Sequence, residues 1–249
     1  MSVCIGLFFL LYGLVIASFL NVCIYRIPQK ISVAAGRSYC PHCGHTLCWR
    51  DLLPVVSFVL LKGRCRYCGA PISPRYPLVE LAGGLLFLGA YLRFGLSVQA
   101  LLFCVIFSLL IVITGIDVAV QEIPDGLNAL LALCGVLLIA ADDGHRLTAA
   151  LLGAVMVSVP LGLVAFFTGG IGGGDVKMMA AVGLCLGPAL TVLAFFIGCI
   201  SAAAVALGLM AAQKASRRSL MPLGPFLALG TVIAAFWGEA LIGWYLTLF

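Results

Sequence analysis

Asp117 follows the apolar run Ala100 to Ile116, and Asp175 ends Gly172-Gly173-Gly174-Asp175 just ahead of another apolar run. A charge set against a bilayer core is costly, up to about 2.5–3.5 kcal/mol at a helix centre on insertion scales, so it marks function more often than decoration. Two carboxyl groups close together share one proton, because like charges at short range cannot both ionise. The mixed pair activates water with one member and donates a proton with the other. That is the equipment for peptide hydrolysis without a metal or a covalent nucleophile. Gly172, Gly173 and Gly174 admit backbone angles and close approach that side chains would block, so an extended substrate strand is expected beside Asp175. Asp175 also suits a helix N-cap, and Asp125 in Ile123-Pro124-Asp125-Gly126 reads as the N-cap of the next apolar segment. Glu122 reads as a solvated loop charge. Glu80, in Pro77-Leu78-Val79-Glu80, is either a charge partner of Arg75 or a site residue.

A second chemistry lies in the polar insertion 26–76, which holds eight basic residues and the single acid Asp51. Cys40-Pro41-His42-Cys43 and Cys65-Arg66-Tyr67-Cys68 are two C-x2-C knuckles separated by 21 residues. Each supplies two thiolates from a tight turn, and together they close a tetrahedral zinc site; four protein ligands leave no open position, so the metal is structural. His42 and His45 are alternative ligands. Two disulfides are the competing reading, disfavoured if the loop faces a reducing cytosol. Cys4, Cys23, Cys104, Cys134, Cys185 and Cys199 lie in apolar runs and behave as small hydrophobes. Cys48 has no assigned role.

The elements that must position these groups are membrane helices. A chain of 249 residues that is 63% hydrophobic and 9% charged, with mean hydropathy +1.22, has too little polar surface for a soluble fold. It reads as an all-α polytopic membrane protein of about eight transmembrane helices, near 3–25, 77–93, 97–116, 126–141, 147–167, 175–187, 189–211 and 224–247, each close to a membrane-spanning length. Gly187-Pro188 is the weakest of these boundaries. The first run lacks a preceding basic region and is expected to stay as an anchor rather than to be cleaved as a signal. The expected division is a first transmembrane helix at 1–25, a Cys4 zinc-binding loop domain at 26–76, and a transmembrane peptidase domain at 77–249. With both termini outside, twelve of the fourteen Lys and Arg residues fall in cytoplasmic loops, Lys214, Arg217 and Arg218 among them; only Arg93 and Arg146 fall outside. That orientation puts Asp117, Asp175 and the cysteine loop on the cytoplasmic face of the membrane. The basic residues thus serve topology, and membrane lipid is an expected partner while nucleic acid is not.

These features together resemble the bacterial prepilin peptidases, the leader-cleaving aspartic proteases of type IV pilus and type II secretion systems. The resemblance covers nearly the whole chain. It is carried by Ala17-Ser18-Phe19-Leu20-Asn21-Val22 with Arg26-Ile27-Pro28, by the two knuckles, by Trp49-Arg50-Asp51, by Lys62-Gly63-Arg64, and by Ile72-Ser73-Pro74-Arg75-Tyr76-Pro77-Leu78-Val79-Glu80. It continues through Asp117 with Ile123-Pro124-Asp125, and through Gly172-Gly173-Gly174-Asp175-Val176-Lys177. The resemblance implies that Asp117 and Asp175 match the catalytic pair, the second in a Gly-x-Gly-Asp signature shared with presenilin-like proteases. Asp125 matches a recurrent position outside that pair, and Gly172, Gly173, Gly174, Lys177, Asp125 and Glu80 are expected to support the site or its substrate. Implied substrates are prepilins or pseudopilins with a short basic cytoplasmic leader, cut after Gly. Members with the cysteine loop resemble bifunctional enzymes that also methylate the new N-terminus with S-adenosylmethionine; no nucleotide-binding glycine signature accompanies that expectation here. The segment before the first span is minimal for the family. Two other classes fit parts of the pattern: an ion-coupled transporter, whose acids should lie near mid-depth, and a noncatalytic zinc-stabilised adaptor.

Overall fold

Gly and Pro residues divide the apolar sequence into helices, and the computed structural model describes residues 2–142, 147–170, 172–213 and 221–248. Among these, ten α-helices occur: α1 Ser2–Arg26, α2 Val56–Leu60, α3 Arg75–Phe94, α4 Val98–Val120, α5 Asp125–Ala140, α6 Leu147–Met156, α7 Ser158–Thr168, α8 Gly173–Leu186, α9 Pro188–Ala211 and α10 Gly224–Leu246. Arg146, Lys214, Arg217 and Arg218, used above for topology, lie outside the described residues. The eight apolar segments read from the sequence are present, and the protein is an all-helical polytopic membrane protein.

Among the described residues, six stretches are long and apolar enough to cross a membrane: α1, α3, α4, α6 with α7, α9 and α10. The remaining two are shorter. At 1.5 Å per residue, α5 with 16 residues spans about 24 Å and α8 with 14 spans about 21 Å. The segment expected as one helix over 147–167 is divided at Val157, because Pro160 lacks an N–H for the carbonyl of Met156 and crowds it. The boundary at Gly187-Pro188 is real: Gly187 takes φ +77°, and Pro188 then opens α9. Helix α4 ends four residues later than expected, so Asp117 lies inside its last turn.

Internal packing divides the chain into two compact units, Met1–Val112 and Ile113–Phe249. In the first, α1 and α3 meet along a seam of small residues: a Cβ at Gly13 would lie 2.7 Å from the Gly83 carbonyl oxygen, and one at Gly84 2.9 Å from Leu14. Asn21, buried on α1, donates to the Tyr76 carbonyl at 3.3 Å and joins the two helices at their loop end. Arg26 is also buried there; its guanidinium donates to the carbonyls of Ser32, Ala35 and Arg37 and gathers the chain leaving α1.

In the second unit α8 is the buried element, packed by α5, α6, α7 and α9. Met178, Met179 and Val182 are almost wholly buried. Its close approach to α6 depends on paired glycines: a Cβ at Gly153 would lie 2.5 Å from the Gly183 carbonyl oxygen, and one at Gly183 would collide with the Gly153 backbone. Gly183→Val is therefore expected to destabilise this unit by about 1–3 kcal/mol through overpacking, read as a lower unfolding midpoint in detergent. Gly208→Val on α9, where a Cβ meets nothing within 4 Å, should leave the midpoint unchanged.

Candidate active site and metal centre

Helix starts and glycines place both candidate carboxyls. Asp117 and Asp175 are buried, at 5% and 9% exposure, in the second unit, and they lie near enough for the charge of one to act on the other. Gly224, the first residue of α10, donates its N–H to Asp117 Oδ2 at 2.9 Å. A Cβ at that position would sit 2.7 Å from the same oxygen. The N-terminus of α10 thus faces the carboxyl with a backbone donor and the positive end of its dipole. This contact was not anticipated from the sequence; its signal is Pro222-Leu223-Gly224-Pro225, a helix-start pattern ahead of the last apolar run.

Asp175 is the third residue of α8, and Gly172 holds the N-cap position expected of it. Its Oδ1 is buried without a hydrogen-bond partner, so an acceptor in the apolar interior is left open to a proton, water or substrate. The three glycines before it act differently from expectation. None of them takes a positive φ, whereas Gly169 does, at +63°. A Cβ at Gly174 would meet Ile123 Cβ at 2.8 Å, so this glycine permits packing within the protein; only Gly173 borders open space.

The Ile123-Pro124-Asp125 turn and the start of α8 are joined by three contacts. Ile123 packs on Gly174, Asn128 Nδ2 donates to the Gly174 carbonyl at 3.1 Å, and Lys177 Nζ pairs with Asp125 Oδ1 at 2.7 Å. Asp125 is therefore not the N-cap of α5; Pro124 is, and Asp125 is the first helical residue, its carboxylate turned to Lys177. That pair is exposed and is worth about 0–1 kcal/mol, so Gly174 and the buried Asn128 carry the attachment. Asn128 was missed in the sequence because a lone Asn near a helix start has no distinguishing pattern. Glu122 is exposed, as expected.

Glu80 belongs to the first unit and accepts the Val55 N–H at 2.8 Å. Val55 has φ +61°, a left-handed backbone that a β-branched residue rarely adopts and that costs about 1–3 kcal/mol. Of the two readings left open for Glu80, neither describes this contact: the acid fixes a strained turn in the loop.

The metal centre repeats one local design twice. In each knuckle the first cysteine carbonyl accepts the N–H of a left-handed glycine four residues on, Gly44 from Cys40 and Gly69 from Cys65. Each first cysteine N–H is held by the carbonyl five residues on, His45 or Ala70. The ligand atoms of Cys40, Cys43, Cys65 and Cys68 all lie within 4.8 Å of one another, and Cys40 and Cys68 Sγ are 3.9 Å apart. Tetrahedral zinc with bonds of about 2.3 Å separates its sulfurs by about 3.8 Å, so the donor set fits that ion. Backbone N–H groups of Cys43 and His42 lower the Cys40 thiol to about 6. Cys68, which accepts from the Ala70 backbone but is desolvated and crowded by the other sulfurs, is pushed up to about 11. A dication held by the four sulfurs would relieve that crowding. His45 lies instead against the Tyr67 ring, at 3.6 Å between centroids.

Asp51 braces the second knuckle against the turn that begins at Cys48. Its carboxylate accepts from Arg66 Nε at 2.7 Å, Tyr67 Oη at 3.0 Å and the Cys48 N–H at 3.2 Å. Burial raises its pKa, but the bonds from Arg66, Cys48 and Tyr67 outweigh it and hold the group below the usual carboxylate range. Cys48 acquires a role through this brace, and Tyr67 Oη also reaches its sulfur at 3.6 Å.

Comparison with known proteins matches both halves. Residues 11–94 match the Bacterial Peptidase A24 N-terminal domain, and residues 104–207 match the Type IV leader peptidase family. A prepilin leader peptidase/N-methyltransferase of Bacillus subtilis (strain 168) is 34% identical over 239 residues, covering 95% of this chain and 96% of the relative. Proteins of the same name from Burkholderia pseudomallei (strain 1026b) and Aeromonas hydrophila are 36% and 32% identical, covering 93% and 96% of this chain and 85% and 93% of those relatives. No solved structure matches the chain. With Asp117, Asp175 and both cysteine knuckles inside the matched regions, the chain belongs to the type IV leader peptidase family.

Proposed function

We propose that this protein removes the leader of type IV prepilins or pseudopilins with Asp117 and Asp175 as the catalytic pair, and then methylates the exposed N-terminus. The observation that carries the hydrolytic reading is the pair itself: two buried carboxyls within electrostatic reach, one held by a helix N-terminus and the other with an unpartnered oxygen. With one proton between them, the ionised member takes a proton from water as it attacks the scissile carbonyl, and the protonated member hydrogen-bonds the carbonyl oxygen. The proton then passes to the leaving amine. Both residues lie at helix ends rather than mid-span, which favours a protease over an ion-coupled carrier.

The supporting residues divide accordingly. Gly174, Asn128, Asp125 and Lys177 hold the turn that bears Asp175, Gly172 abuts its carboxyl, and Gly173 borders the space available to substrate. In the proposed orientation both termini are outside, and the site and the cysteine loop face the cytoplasm of the inner membrane, where a basic leader and reduced thiols are found. Segment 26–76 acts as the metal-stabilised loop domain and 77–249 contains the peptidase. Cys40, Cys43, Cys65 and Cys68 hold zinc as a structural crosslink. S-adenosylmethionine is the methyl donor that the relatives' name implies.

Asp117→Asn and Asp175→Asn should each lower leader cleavage by about a thousand-fold or more, with the protein still inserted, because the pair acts as a unit. Purified variants with a prepilin-like substrate and mass detection of the cut product check this; near-normal cleavage by either would remove that residue from the pair. Gly224→Ala should cost roughly a hundred-fold in kcat, since the added methyl displaces Asp117 on a scale of about 1 Å, and an unchanged kcat would disconnect α10 from the site. Chelation of zinc should unfold the loop and reduce methylation more than hydrolysis. Immediate, reversible loss of hydrolysis on chelation would instead make the metal catalytic.

A further inference from the structure

The short helix α2 is turned inside out for a loop in water. Val56, Val59 and Leu60, spaced to share one helical face, are 52%, 64% and 73% exposed, and Leu52 and Leu53 just before them are also exposed. Ser57 and Phe58 take the half-buried side; Ser57 Oγ bonds the Leu53 carbonyl, and the Phe58 ring lies beside Gly63. We infer that the Leu52, Leu53, Val56, Val59 and Leu60 face inserts into the interfacial layer of the membrane that α3 enters, with anionic lipid as its partner.

Depth supports this placement. The α2 N-cap Val55 is bonded to Glu80, five residues after Arg75 opens α3, which is about 7.5 Å along a membrane helix. Interfacial helices bury their apolar faces by about 5–10 Å, so α2 is held at that level. The left-handed backbone at Val55 shows that the fold imposes this attachment against local preference. Charge selects the partner. Arg50 precedes the apolar stretch and Lys62 and Arg64 follow it, all exposed, while Asp51, the sole acid in the loop, is occupied by Arg66. An anionic bilayer surface meets both the apolar face and the flanking cations; an apolar protein groove meets only the first. The inference is independent of the peptide-cleavage reading.

The test places one tryptophan on this face of the full chain. The native Trp49, Trp237 and Trp244 become Phe, and Val59→Trp is the reporter, with Phe58→Trp in the same background as the inward-facing comparison. Each protein is reconstituted into phosphatidylcholine vesicles with or without phosphatidylglycerol, using plain or acyl-brominated lipid. Bromine is expected to quench Val59→Trp emission about two-fold in anionic vesicles and less in neutral ones, with the difference removed by high salt. The Phe58→Trp reporter should be quenched little. Equal emission from Val59→Trp in plain and brominated lipid overturns the inference; if that emission is also blue-shifted, protein rather than lipid covers the face. Equal quenching at positions 58 and 59 overturns the assignment of the face, and equal quenching in neutral and anionic vesicles overturns the lipid selectivity. Leu60→Trp repeats the reading should Val59→Trp fail to fold.

Discussion

A carboxyl group withdrawn from water inside an apolar bundle must be met by donors that do not themselves need burying, and helix N-termini are the available source. That requirement organises the second unit. Asp117, in the last turn of α4, lies against the first N–H of α10, and Asp175 stands in the first turn of α8. Each arrangement requires a glycine at a place where a side chain would intrude, Gly224 against Asp117 and Gly174 against Ile123. The buried position of α8 among α5, α6, α7 and α9 follows from the same need, because a polar turn so deep must be held on several sides.

The first unit meets a different constraint. Its polar loop has almost no apolar core of its own, and small folds of that kind rely on crosslinks. Four sulfurs gathered within 4.8 Å of one another offer one as the proposed zinc site, and Asp51 ties the second knuckle to the turn that begins at Cys48, through its bonds from Arg66, Tyr67 and the Cys48 N–H. Arg26 gathers the chain on entry to the loop, and Glu80 takes hold of it before it returns to α3. The loop is thereby fixed to the ends of α1 and α3, which a flexible linker of equal length would not achieve.

What could be read from sequence was set by chemistry with a fixed spacing. The cysteine knuckles, the apolar segments and the glycine run before Asp175 are local patterns, and each is found where expected. Capping was misjudged at Asp125 because its carboxylate pairs with Lys177, 52 positions on, and at Asp175 because the helix starts two residues before it and leaves Oδ1 without a hydrogen-bond partner. Gly224, Asn128 and Glu80 depend on tertiary contacts spanning 107, 46 and 25 positions, and no periodicity announces such pairings. The division of 147–167 into α6 and α7 was legible in Pro160, whose effect is local.

Helices α5 and α8 pack against each other and start at the same place, where Asp125 and Asn128 meet Lys177 and Gly174. Both fall short of a hydrocarbon core of about 30 Å. Lipid beside them must thin or the bundle must tilt, each at a fraction of a kcal/mol per Å of mismatch. Local thinning would bring the water boundary toward the turn that carries Asp175, where the proposed hydrolysis needs solvent. Under the proposed catalytic role of Asp175, acyl-chain length and lipid ordering would act on this turn mechanically, through membrane thickness rather than through a ligand.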